Sequence, residues 1–411
     1  MNKYFLVGTV LFSVSLLLLS CQQQAVPQGP QNWQWRGENR NGVYHETGLL
    51  KEWPAGGPEL LWSFEGLGEG HTSVAIASGK VYATGMQEDR LILYVFDMTG
   101  NLLTEKEIGK EWNENWNGTR SSVCINDGKI YIFSAHGVLY CLDEATLNTV
   151  WTKDLLNDFD GRNLMFGMTE NPLIVGDTIF MTPGGEINNM VALNKNTGEV
   201  IWSSPGEGTV TAYCSPQYIA GNSVPIVVTS AIKHIIAFNA DTGEHLWSFP
   251  QTSQFDVHPN TPLYSDGMIY SSVGGGGGST MLRLANGGKS VELAWKNELD
   301  IQLGGAVKVD DYVYAAGQTD RAWFCVDWKT GETKYKVREM APCNVIFADG
   351  MLYCYSETGK VYLVKPNPEK LEIISSFEVT LGTNQHWAHP VIYDGVLYIR
   401  HGDALMAYKV K

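Results

Sequence analysis

The stretch NADTGEHLWSF, residues 239–249, decides the fold, because the chain repeats its pattern. NKNTGEVIWSS runs from Asn194 to Ser204, and DWKTGETKYKV from Asp327 to Val337. In each, Asn or Asp opens a tight corner through Thr-Gly, and an aromatic follows four residues after the glycine: Trp202, Trp247 and Tyr335. Asn, Asp and Gly tolerate the left-handed backbone of such corners, so the phrase reads as a turn between two strands. Trp151, Trp295 and Phe377 hold comparable places in less regular units. A large aromatic recurring in one slot of each unit fills a seam between neighbours. The corner itself is read as structural.

Upstream of each corner lies a hairpin of two apolar runs. VAIASGKVYATG, VCINDGKIYIFS, PLYSDGMIYSSV, VIFADGMLYCYS and VIYDGVLYIRHG join alternating strands through Asp-Gly or Ser-Gly, a strong hairpin signal. Turn anchors fall at Gly79, Gly128, Asp177, Gly221, Gly267, Asp311, Gly350 and Gly395, at intervals of 39 to 49 residues. A third strand follows in each unit, such as LYCLD, MVALN, IIAFN and WFCVD. Eight units at this period, each of four strands, predict an all-β, eight-bladed β-propeller over residues 57–411. The eighth unit supplies only three strands before the chain ends. ELLWSFEG, Glu59–Gly66, carries the missing aromatic as Trp62, so this N-terminal strand is expected to complete the last blade and close the ring.

The 411 residues are 44% hydrophobic, with 44 glycines, 13 tryptophans and 19 tyrosines, which suits a β-rich protein with many tight turns. The formal charge of −15, without any run of Lys or Arg, excludes a nucleic-acid partner. Residues 1–20 are read as a signal segment: Lys3 precedes an apolar run from Tyr4 to Leu19 that is short for a membrane span. The run ends LLLLSC and looks like a bacterial lipobox, with Cys21 lipidated after cleavage. Residues 21–32 then form a polar tether, and no Asp follows Cys21, which argues against retention in the inner membrane. The membrane is thus expected to be met only through the lipid. Cys124, Cys141, Cys214, Cys325, Cys343 and Cys354 include no C-x-x-C and sit mostly in apolar strand patterns, so buried inert thiols are expected.

The repeats resemble the pyrroloquinoline-quinone-type β-propeller family over nearly the whole mature chain. The lead-in Trp33, Trp35, Arg36, Gly37, Arg40 and Gly42 is similar to a W-x-W-R-G-x-x-R-x-G signature of one bacterial branch of that family. Eight blades behind a lipobox also resemble the BamB-like lipoproteins of outer-membrane protein assembly, which lack such a Trp-rich lead-in. That resemblance implies a non-catalytic scaffold facing the periplasm from the outer membrane, with an envelope protein as partner. Residues 33–56 are expected to be pinned on the propeller's flank by Trp and Arg packing. The quinoprotein enzymes of this fold imply the alternative, an oxidoreductase holding pyrroloquinoline quinone with calcium. They carry a vicinal disulfide and a Glu, Asn and Asp set around the calcium. This chain has no Cys-Cys, no such constellation and no C-x-x-C-H haem attachment, so no cofactor is expected.

In a propeller the loop leading into each innermost strand faces the central funnel. The candidate ligand site there comprises His71, Arg120, Glu170, Tyr213, His258, Gln302, His386 and His389, beside Asn171, Asn260, Asn344 and Trp387. Such a mouth is polar in any soluble propeller, yet it could take a small molecule or a glycan. The H-x-x-H of His386 and His389 lies outside a helix and does not set both imidazoles on one face, so no metal is expected. EWNENWNGTR, Glu111–Arg120, places Trp112 and Trp116 in an interblade loop, either as a cap on the next blade or as an exposed stacking surface. VGGGGGST, Val273–Thr280, lacks the lysine and the helix of a phosphate loop and reads as a hairpin tip.

Overall fold

A computed structural model describes Met1 and residues 30–221, 223–302 and 305–411. Cys21, with most of the signal and tether segments, lies outside the described residues. The described chain forms eight sheets, each with four antiparallel strands of its own, following one another around a ring. The innermost strands of the eight blades are Ala75–Ala77, Cys124–Asn126, Leu173–Val175, Gln217–Ile219, Leu263–Ser265, Val307–Val309, Cys343–Ala348 and Val391–Tyr393. The middle strands are almost wholly buried, whereas the outermost strands alternate towards solvent. Leu60–Glu65 pairs antiparallel with Ala404–Lys409 and completes the eighth blade as expected.

In five blades the first hairpin turns on two residues of positive φ, whereas in the third and sixth only the first turn residue, Gly176 or Asp310, has one. Ser78 and Gly79, Asp127 and Gly128, Asp266 and Gly267, Asp349 and Gly350, and Asp394 and Gly395 all fall in this region, the hand that matches the twist of the flanking strands. The fourth blade departs from the expectation at Gly221: the strands Gln217–Ile219 and Ile226–Ala231 are separated by more than two residues of sequence.

The repeated corner does more than turn the chain. Each outer-strand tryptophan reaches across the seam and donates its indole N–H to a carbonyl of the next blade. The pairs are Trp62 to Met98 (3.2 Å), Trp151 to Lys195 (3.0 Å), Trp202 to Ala240 (2.9 Å), Trp247 to Gly288 (3.1 Å) and Trp295 to Trp328 (3.1 Å). In four of the five, all but Trp247, the ring then lies against the corner glycine of that blade. A Cβ on Gly100, Gly198, Gly243 or Gly331 would stand 2.5–2.9 Å from the Trp62, Trp151, Trp202 or Trp295 ring. Glycine is therefore required twice at the corner, for its φ and for the ring above it. Opposite five of the aromatics stand small residues of the third strand, Ala192, Ala237, Ala407, Cys141 and Cys325, whereas Trp295 faces Met281 and Phe377 faces Val361. The cysteines serve there as small apolar side chains, and burial pushes the thiols of Cys141 and Cys325 up to about 11. In the seventh blade Phe377 meets Gly57, which precedes the closing strand, so the corner is rebuilt from the other end of the chain.

The N-terminal segment lies at the ring's centre and not on its flank. Trp33 exchanges backbone hydrogen bonds with Ile125, and Val43–Tyr44 pairs in parallel with Phe347–Ala348, both on innermost strands. Arg36 donates to Ala306 (2.7 Å) and Val345 (3.4 Å) carbonyls, and Arg40 to those of Asn171 and Pro172 (2.8 Å each). A segment that touches the inner strands or lead-ins of the second, third, sixth, seventh and eighth blades must cross the axis. From there it runs outward, past Asp349 and Ser375, to the closing strand.

Candidate functional site

The plug turns the channel into a blind funnel. Arg36 and Arg40 are buried, and their guanidinium groups meet carbonyls in place of carboxylates, so burial lowers both to about 10 while leaving them charged. Arg36 also lies 3.0 Å from Nδ1 of His389. Since an arginine can only donate, that nitrogen accepts, and burial with the Arg36 charge holds the His389 pKa well below its ordinary value. Trp35 packs its ring edgewise on His389, with centroids 5.0 Å apart, to form the floor.

Above the floor is a cavity of about 500 Å³. Its wall combines the leading loops of several blades. On one side His71, Trp387 and Trp116 form a continuous aromatic run, with centroids 5.0 and 5.3 Å apart. Phe166 and Tyr213 face each other at 6.0 Å on another side. Gln302, Gln318 and Arg120 add polar groups. Burial, with the Arg120 and Arg400 charges, pushes His71 down to about 3, so it is neutral at pH 7.

Five of the eight residues expected from the sequence line this cavity: His71, Arg120, Tyr213, Gln302 and His389. Three do not. Glu170 turns into the third blade, where its carboxylate accepts from the backbone N–H of Thr182 (3.0 Å) and from the Thr182 hydroxyl. Burial raises it to about 8 against the pull of Thr182 and Arg40. His258 is buried within its lead-in, and burial lowers it to about 4. His386 stacks on His401 at 3.6 Å, and its Nδ1 lies 2.6 Å from the Tyr355 hydroxyl. The two histidines of the H-x-x-H are thus engaged with separate partners.

The amide and hydroxyl side chains near the strand starts mostly form a girdle. Ser73 N–H donates to Ser122 Oγ, Ser122 N–H to Asn171 Oδ1, and Asn171 N–H to Ser215 Oγ, at 2.7–2.9 Å. Asn260 donates to Ile301, Asn344 to Trp387 and Ala388, and Ser73 Oγ to His389, all to carbonyls. These contacts stitch each leading loop to the next and explain polar residues there without a ligand. Sequence reasoning left out Trp35, Phe166, Gln318 and Glu357, which reach the cavity from the plug or from loops remote from the strand starts. The EWNENWNGTR loop divides its tryptophans: Trp112 is a buried cap over Gly167, and Trp116 stands half-exposed at the mouth.

The cavity does not fit a calcium–quinone centre. Calcium takes six to eight oxygens, several of them carboxylate. Among the described residues the one lining carboxylate is Glu357, which is ion-paired with Arg321. Among the described residues no group of three His, Cys, Asp or Glu side chains is placed to hold a metal.

Fold and repeats together define a closed, centrally plugged propeller of the quinoprotein type. The chain belongs to the family described as outer membrane protein assembly factor BamB, whose model matches residues 149–370, just over half of it. BamB from Moraxella catarrhalis superposes with a TM-score of 0.63 at 16% identity, over 86% of this chain and 99% of that one. A europium-containing methanol dehydrogenase gives 0.64 at 13% identity, over 92% and 91%. At such identities the likeness is one of fold. The quinoprotein ethanol dehydrogenase of Pseudomonas aeruginosa is 33% identical over 90 residues, 22% of this chain; the match spans only 14% of that enzyme's length.

Proposed function

We propose that this protein is a non-catalytic docking scaffold of the bacterial envelope, anchored in the outer membrane through Cys21, facing the periplasm and binding another protein in outer-membrane protein assembly. The observation that carries this reading is the apolar rim around the funnel. Met165, Ile187 and Phe255 are 74%, 69% and 66% exposed, and all lie on loops at the funnel face. The rim is ordered from beneath: Asn115 donates to the Met165 carbonyl (2.9 Å), and Asp160 accepts from the Ile187 N–H (3.0 Å). Large apolar side chains held in the open on one face mark an interaction surface. Membership of the BamB family and the poor fit to a calcium–quinone centre support the same reading.

A photocrosslinking residue at Met165 or Ile187, compared with one at Val150 on the outer edge of a blade, tests it in intact cells. The expected result is one discrete crosslinked protein from the funnel face and none from the edge. No product from the face, or equal products from both, would overturn the proposal. The quinoprotein alternative is tested separately by melting the protein with pyrroloquinoline quinone and calcium. No shift is expected, since a ligand that binds only the folded state raises the melting temperature.

A further inference from the structure

Arg120 sits in the cavity wall with no carboxylate in direct contact. Among the described residues it is the only Arg or Lys lining the cavity, and no carboxylate lies within 4 Å of it. One Nη donates to the Asn115 carbonyl (2.8 Å), while its Nε has no protein partner. Glu111 lies behind it and acts on it through space. Its Oε1 accepts from the backbone N–H groups of Trp112 and Ala135 (2.9 Å each), its Oε2 has no protein partner, and burial raises the group to about 7, so it is only partly ionised at pH 7 and offsets the Arg120 charge only in part. A largely buried guanidinium of this kind is stabilised by an anion entering the cavity, and its planar fork suits a carboxylate.

The rest of the cavity specifies what carries that carboxylate. The Trp116 and Trp387 rings offer tilted apolar faces. The Gln302 and Gln318 amides make no hydrogen bond to the protein among the described residues, unlike Asn171, Asn260 and Asn344, whose side chains bond across the girdle. Each free amide presents a donor and an acceptor, the pair that a hydroxyl group satisfies. Apolar faces for C–H surfaces, amides for hydroxyls and one arginine match a hydroxylated ring better than a flat aromatic acid. A cavity of about 500 Å³ is in the usual range for a small ligand. The net charge of −15 repels an anion at long range, so the discrimination must come from these contacts.

We propose that the funnel cavity binds an acidic saccharide, a pyranose whose carboxylate meets Arg120 and whose hydroxyls meet Gln302 and Gln318. This site is separate from the docking rim, since Met165, Ile187 and Phe255 do not line the cavity.

Isothermal titration of the full-length protein at pH 7 with digalacturonate, its methyl ester and benzoate tests the proposal. The acid should bind about ten-fold more tightly than the ester, and benzoate should bind most weakly. Arg120→Gln should bring the acid to the affinity of the ester and leave the ester unchanged, with an unaltered melting temperature. Should Arg120→Gln fail to fold, Gln318→Ala serves, because its side chain has no protein partner to lose; it should weaken both sugars about five-fold. Equal affinity for acid and ester, benzoate matching the acid, binding of neither sugar, or variants that bind as the parent does would each overturn it. The crosslinking at Met165 is unaffected by any of these outcomes.

Discussion

At the scale of single residues, a position at a strand start does not reveal which way its side chain turns. His71 and His389 reach the funnel, whereas His386, three residues before His389, stacks away from it on His401. Spacing identified the lead-ins, but the choice between cavity and blade interior depends on local backbone twist, which residue type does not encode. Glu170 shows the energetic consequence. Its pKa is raised to about 8 in the fold, against about 4.5 for an exposed glutamate. Between these values the unfolded chain releases a proton that the folded chain keeps, so this group's contribution to stability falls as pH rises from 4.5 to 8. Glu170→Gln keeps an acceptor for the Thr182 N–H and cannot ionise. Urea unfolding should therefore find it more stable relative to the parent at pH 8 than at pH 5, by an amount on the order of 2–4 kcal/mol. The same difference at both pH values would show that Glu170 is ionised throughout. The acid limb has the opposite sign: His71, lowered to about 3, costs stability as pH falls below about 6.5.

At the scale of elements, the hairpins, the outer-strand aromatics and the closing strand were legible, because each follows from a short repeated pattern. What the pattern did not reveal is the partner of the aromatic. The Thr-Gly corner belongs to one blade, and the indole above it comes from the blade before, so the contact is invisible within any single repeat. The first blade shows how the rule is broken: its outer strand, Leu102–Lys110, has no aromatic, and Lys106 takes over by donating to the Leu147 carbonyl (2.5 Å). Gly243 and Trp202 test the seam. Gly243→Ala places a methyl 2.6 Å from the Trp202 ring at φ +75°, and it should cost about 2–3 kcal/mol. Trp202→Ala should cost about 3–5 kcal/mol by emptying the seam and leaving the Ala240 carbonyl unpaired. In the double variant the steric part of the alanine cost vanishes, because no ring remains to meet the methyl. The two changes should then sum to about 1 kcal/mol less than their separate costs, measured by denaturant unfolding. Strict additivity would mean that the corner glycine serves its own backbone only.

At the scale of the whole molecule, the ring is fastened twice: at its rim by Leu60–Glu65 and at its axis by the segment that carries Arg36 and Arg40. The rim closure could be read from the missing eighth outer strand. The axial one could not, because Trp and Arg in an extended lead-in are equally compatible with a flank or a centre. Its position matters for function, since the plug supplies the floor of the cavity through Trp35 and fixes His389 through Arg36. Arg36→Met tests this dependence. The methionine fills much of the volume but leaves the Ala306 and Val345 carbonyls and the His389 Nδ1 without their donor. Relief of a buried charge offsets part of that loss, so a net cost of about 2–4 kcal/mol at pH 7 is expected. The pH dependence gives a sharper signature. In the parent, Arg36 helps to hold His389 neutral in the fold, and that contributes to stability lost as pH falls through and below about 6.5. Without the guanidinium, His389 accepts a proton more readily in the folded state, so the acid loss shrinks. The deficit of Arg36→Met should therefore be smaller at pH 5 than at pH 7, whereas a merely disrupted plug would show the same deficit at both.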